Sequence, residues 1–117
     1  MTITVYGISN CDTIKKARKW LEGQGINYAF HDYKKSGVPA DKLADWVILE
    51  SWETILNRGG TTFRKLDEMV RNNLDSDRAV MLMREHPSMI KRPIVEYDDG
   101  LLVGFHGPTW AAALTDS

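Results

Sequence analysis

The opening third of the chain most constrains the fold. Residues 2 to 6 alternate β-branched and aromatic side chains, which is a strand pattern, and Gly7-Ile8-Ser9-Asn10 interrupts it with turn and capping types. From Asp12 the apolar Ile14, Ala17, Trp20 and Leu21 recur at helical intervals, with Lys15, Lys16, Arg18 and Lys19 on the other faces, until Gly23 and Gly25 end the run. Asn27 to Tyr33 alternates again, and a strand-helix-strand run of this length brings its two strands side by side in parallel with a right-handed crossover.

The middle of the chain is helical in pattern. Lys34 to Gly37 reads as a turn, Pro39 suits a helix start, and Leu43, Trp46, Val47 and Leu49 keep helical spacing. A shorter segment at Trp52 to Leu56 precedes a polar, glycine-rich loop at Asn57 to Thr62, and Phe63 to Leu74 is helical in part. Asp75 or Ser76 can cap a last helix with Ala79, Val80, Leu82 and Met83 inward, ended by His86-Pro87. Strands return at Pro93 to Tyr97 and Leu101 to Phe105, joined by a turn at Asp98-Asp99-Gly100, and Pro108 to Leu114 forms a closing helix. With 117 residues, 43% of them hydrophobic, one domain over 1–117 is expected. Its core comprises about 1–35 and 88–117, and a helical insertion fills about 38–87. The order is compatible with a thioredoxin fold and with other α/β layouts.

Fifteen basic residues against sixteen acidic ones leave a net charge of -1, so nothing in the balance recommends nucleic acid as a direct partner. No apolar run approaches the roughly 18 to 20 residues that span a bilayer, and no basic, apolar leader opens the chain, so no membrane partner and a cytoplasmic location are expected. His31, His86 and His106 have no metal-ligand spacing, so no metal is assigned.

The single cysteine, Cys11, cannot close an intrachain disulfide. It is either a reactive thiol or a small buried hydrophobe. Its place between the first strand and the first helix favours reactivity, because the free N–H groups and the positive dipole end of a helix stabilise a thiolate. Arg58, in the glycine-flanked loop, and Arg92, just before Pro93, can each present a planar fork to a carboxylate or oxyanion, or can be solvated surface residues.

Three segments carry a resemblance: Ser9-Asn10-Cys11-Asp12-Thr13-Ile14-Lys15-Lys16-Ala17, Asn57 to Leu66, and Ile90-Lys91-Arg92-Pro93-Ile94. In this order and spacing they resemble the arsenate-reductase-like family, nearest to the YffB-type proteins, with the Spx-type transcription regulators as near relatives. The resemblance implies an α/β thioredoxin-like (glutaredoxin-like) fold with a helical insertion between the two strand pairs, a catalytic nucleophile at Cys11 and a cis peptide at Arg92-Pro93. It also implies that Asn10, Arg58, Arg92 and Pro93 bind substrate or glutathione. The chain departs from arsenate reductases at Gly104, where they carry a third arginine, and at Gly7, where they can carry a histidine. It departs from the Spx-type Cys-x-x-Cys switch at Ile14.

The expected activity is therefore that of a glutathione-dependent thiol reductase that forms a mixed disulfide at one cysteine. It binds no resident cofactor, and glutathione or a small thiol or disulfide is its co-substrate. The alternatives are a regulator docking on a protein partner such as RNA polymerase, and arsenate reductase proper.

Overall fold

A computed structural model describes residues 2–98 and 100–115; Met1, Asp99, Asp116 and Ser117 lie outside the described residues. The chain groups into two compact units. One runs up to Tyr33 and resumes at Arg92, and the other is Lys34–Lys91.

The first unit holds a four-stranded sheet. Strands β1 (Ile3–Gly7), β2 (Ala29–Asp32), β3 (Ile94–Tyr97) and β4 (Gly100–Val103) lie in the order β2-β1-β3-β4. β1 runs parallel to β2, with Gly7 opposite Asp32, and antiparallel to β3, with Tyr6 opposite Ile94. β3 and β4 form the expected hairpin, Ile94 opposite Val103. At its turn Asp98 has φ 41°, while Asp99 falls outside the described residues. Helix α1 (Asp12–Gly23) connects β1 to β2, as a parallel pair requires.

Of the apolar stripe read in α1, Ile14, Ala17 and Leu21 are fully buried. Ala17 and Leu21 join Ile3, Val5, Val95 and Leu102 from the strands and Trp110 and Leu114 from the closing helix (Gly107–Leu114) in one core. Helix and strand come close at Gly7: a Cβ there would run into Ile14 Cδ1 and lie 3.0 Å from its Cγ1. Gly7→Ala is expected to overpack this contact and lower stability by about 1–3 kcal/mol. Urea unfolding would show a lower midpoint with unchanged slope, and an unaltered midpoint would mean that Ile14 moves aside freely.

The strand expected over Asn27 to Tyr33 is shorter than the alternation suggested. β2 stops at Asp32, and Tyr33 opens a one-turn helix, α2 (Tyr33–Ser36), which replaces the turn read there before Gly37 takes φ 73°. Asp32 is the last residue with a partner on β1, so nothing holds the chain extended beyond it.

In the second unit helices follow one another: α3 (Ala40–Glu50), α4 (Trp52–Ile55), α5 (Thr61–Arg64), α6 (Glu68–Asn72) and α7 (Ser76–Glu85). Leu43 and Trp46 of α3, Ile55, Leu56, Phe63, and Ala79 and Met83 of α7 are buried. Asp75 caps α7, accepting from the Arg78 amide at 2.9 Å. The chain returns beside α4, where Leu56 bridges Ile90 and Lys91 N–H donates to the Ile55 carbonyl at 2.9 Å. Three residues that fit the helical period are less buried than their helix partners. Leu49 is exposed, because α3 buries one narrow stripe and ends at Glu50, and Val80 and Leu82 are only half-buried.

Candidate active site

The site residues of the first unit gather at one end of its sheet. β1 and β2 both end there, and β3 begins there, since Tyr6 pairs with Ile94 and Gly7 with Asp32. The loop after β1 therefore meets the residues that follow β2 and those that precede β3.

Cys11 is the N-cap of α1, with extended φ −141° and ψ 129°, and its carbonyl accepts from the Lys15 amide at 3.0 Å. Its side chain caps nothing and is half-buried as a free thiol. The amides of the first turn of α1 have no intrahelical acceptor and stand at the positive end of a three-turn dipole. The side chain that would ordinarily occupy such a cap accepts a hydrogen bond; a cysteine here instead leaves the amides to an anion.

The loop before Cys11 is tied down by Asp32, whose Oδ2 accepts from the Ser9 amide at 3.2 Å. Asn10, between them, is exposed. On the other side Arg92 is half-buried and Pro93 buried, and the Arg92–Pro93 bond is cis, as the resemblance implies. The Pro93 carbonyl accepts from Gly104 N–H at 2.8 Å, and the Gly104 carbonyl accepts from Trp110 Nε1 at 3.0 Å. Gly104 has φ 76°, a left-handed backbone that side chains disfavour.

Arg58 belongs to the other unit. Its guanidinium lies 5.4 Å from the centre of the Trp52 ring, and the two residues line a cavity of about 390 Å³ together with Arg71. The structure thus gathers Cys11, Asn10, Arg92 and Pro93 at one sheet end of the first unit and sets Arg58 in the helical one.

Sequence reasoning missed Tyr33. Its side chain is 1% exposed, and its hydroxyl has no hydrogen-bond partner among the described residues. Burial pushes the phenol above its ordinary range; the Arg92 charge opposes this, and the Cys11 and Asp32 charges add to it. A signal was available: residues just beyond the carboxyl end of a parallel strand line the crevice where such sheets place their ligands. Tyr33 is the first residue past β2.

A strand order of β2-β1-β3-β4, a cysteine at the first helix start and a cis proline entering β3 define a thioredoxin-like protein, here with a helical insertion between its strand pairs. The sequence model of the ArsC family matches residues 6–113, so the chain belongs to the ArsC family. It is 50% identical to a solved YffB protein with a TM-score of 0.93, the match covering 97% of this chain and 100% of that one. An uncharacterized protein of Haemophilus influenzae is 43% identical over 95% of this chain and 97% of its own length. A global transcriptional regulator, Spx 2 of Oceanobacillus iheyensis, is 27% identical over 91% of this chain and 78% of its own. The protein is a single-cysteine member of this thiol-redox family.

Proposed function

We propose that the protein is a glutathione-dependent thiol reductase, a reading carried by the place of Cys11 at the start of α1 beside the chain that enters β3 through cis Pro93. The Cys11 thiolate attacks one sulfur of a disulfide. A new S–S bond forms, the old one breaks, and the departing sulfur leaves with the electron pair and takes a proton from water. An external thiolate, that of glutathione, then attacks the substrate-derived sulfur of the mixed disulfide and releases Cys11 as thiolate. A lone cysteine requires this external partner, and the cytoplasm is the compartment that supplies it. In this reading Arg92 holds a carboxylate of glutathione, and Asn10 and the backbone at Pro93 receive its peptide groups.

The wild-type protein incubated with oxidised glutathione is expected to gain one glutathionyl group by mass spectrometry, and Cys11→Ser none. Arg92→Ala is expected to slow the reaction about tenfold, the effect of losing one charge-assisted hydrogen bond. Arsenate turnover should be weak or absent, since Gly104 supplies no third guanidinium. A wild-type chain that stays unmodified would exclude the reductase reading.

A second reading is a docking module. It is supported by the Spx relative and by exposed Met69 and Met81, 74% and 58% accessible, beside Val70 on α6 and α7. Under it the chain would co-purify with RNA polymerase, and Cys11→Ser would leave that binding intact.

A further inference from the structure

We propose that this chain forms a two-fold symmetric dimer through α7, two copies packing antiparallel so that each Asp77 meets the partner's Arg84 and each Arg78 the partner's Glu85. The pairing does not involve Cys11 and goes beyond the proposed function.

The arrangement of charges on α7 carries it. A helix turns by about 100° per residue, so residues seven apart share a line along its surface and stand about 10 Å apart. Asp77 and Arg84 form one such line, and Arg78 and Glu85 form another, each with one acid and one base. Met81 projects between the two lines and is 58% exposed. All four charged residues are exposed, and no hydrogen bond or ion pair within the described residues engages the side chains of Asp77, Arg84 or Glu85. Arg78 donates one bond to the Asn73 carbonyl at 2.6 Å, which steadies the side chain and leaves further donors of its fork.

A two-fold axis at Met81 reverses the second helix and lays each line beside its own copy. The charge at the N-terminal end of a line then stands level with the opposite charge at the C-terminal end of the same line in the partner. Four oppositely charged pairs thus surround the two Met81 side chains. Antiparallel packing also sets the positive end of each helix beside the negative end of the other. The same face supplies apolar area. Met69, Val70 and Met81 are three of the five large hydrophobic residues exposed among the described residues, and all three line a groove of about 490 Å³ between α6 and α7. A second copy matches this pattern by symmetry alone.

The test is sedimentation velocity on the full chain from about 1 μM to about 1 mM, the range in which a small interface associates. The wild type is expected to pass from monomer to dimer across it, and high salt to weaken the dimer. Asp77→Arg sets like charges at both Asp77–Arg84 pairs, and Arg84→Asp does the same with the opposite sign. Neither residue is buried, so both variants keep the fold. Each alone is expected to raise the dissociation constant about tenfold to a hundredfold, since two attractive pairs become repulsive. Mixed in equal amounts, the two variants restore opposite charges at both pairs, and the mixture should associate about as tightly as the wild type.

A chain that stays monomeric throughout, variants that associate like the wild type, or a mixture no tighter than its components would each overturn the dimer. The first outcome, together with RNA polymerase binding that is lost in Met81→Glu, would give this face to the docking reading. Glutathionylation of Cys11 is a separate measurement on the same preparations, so the proposed function can fail while the dimer stands, and the reverse.

Discussion

Trp110→Ala is expected to lower the free energy of unfolding by about 4 kcal/mol, within the usual range for removing a buried tryptophan. The indole is 1% exposed and stands edge-on to Phe105 and to Trp20 at centroid distances of 4.9 and 5.9 Å. It therefore ties the closing helix α8 (Gly107–Leu114) to α1 and to the segment after β4. Each such aromatic pair contributes about 0.5–1.5 kcal/mol beyond its buried area. Its Nε1–H also donates to the Gly104 carbonyl, which would be left without that partner. A domain of this size has on the order of 5–15 kcal/mol in total, so the loss removes a large share of it. Thermal unfolding should shift down by about 15 °C. Trp110→Phe, which keeps a ring and loses the donor, should fall between the two. A loss for Trp110→Ala below about 2 kcal/mol would mean that the helix is held by something other than this aromatic cluster.

Above about pH 10 the folded chain should lose stability through Tyr33, and Tyr33→Phe should not share that loss. Burial first, with Cys11 and Asp32 adding and Arg92 opposing, raises the phenol in the folded state. The unfolded chain releases this proton near the ordinary tyrosine value of about 10, while the folded chain retains it. Folding then requires uptake of a proton that becomes scarcer as pH rises. The contribution is fully present below about pH 10 and declines above it, at a limiting slope of about 1.4 kcal/mol per pH unit. Urea unfolding of the two proteins at pH 8, 10, 11 and 12 isolates the effect as their difference. That difference should be flat to about pH 10 and should change progressively in favour of Tyr33→Phe as the pH rises above it. Parallel curves throughout would show that the phenol ionises as freely in the folded chain as in the unfolded one.

Much of the first unit was legible in the chain. Alternation at 2 to 6, helical spacing from Ile14 to Leu21 and glycines at 23 and 25 are local signals that sheet and helix burial reinforce, and β1 and α1 follow them. The hairpin from Pro93 to Phe105 was legible for the same reason. The insertion was less so. Short helices such as α4 and α5 have a single turn each and too few residues to display a period. Leu49, which matched the period of α3, is exposed because spacing says which residues share a face and not how wide a stripe the neighbours cover.

The sequence by itself determined that one thiol stands at a strand-to-helix junction, that no second cysteine can resolve it within the chain, and that arginines at 58 and 92 lie in loops. These depend on residue type and on neighbours a few positions away. Only the tertiary structure decided what surrounds the thiol. Tyr33 lies twenty-two positions from Cys11, and its hydroxyl became a buried, unpartnered group at that site because β2 pairs with β1 through Asp32 and then stops. Gly7 and Gly104 likewise read as missing side chains in the sequence. In the fold Gly7 is the near approach of β1 to Ile14, and Gly104 is a left-handed residue bonded to Pro93 and Trp110. Strand pairing and close packing join residues remote in sequence, and no local pattern encodes which partner will be there.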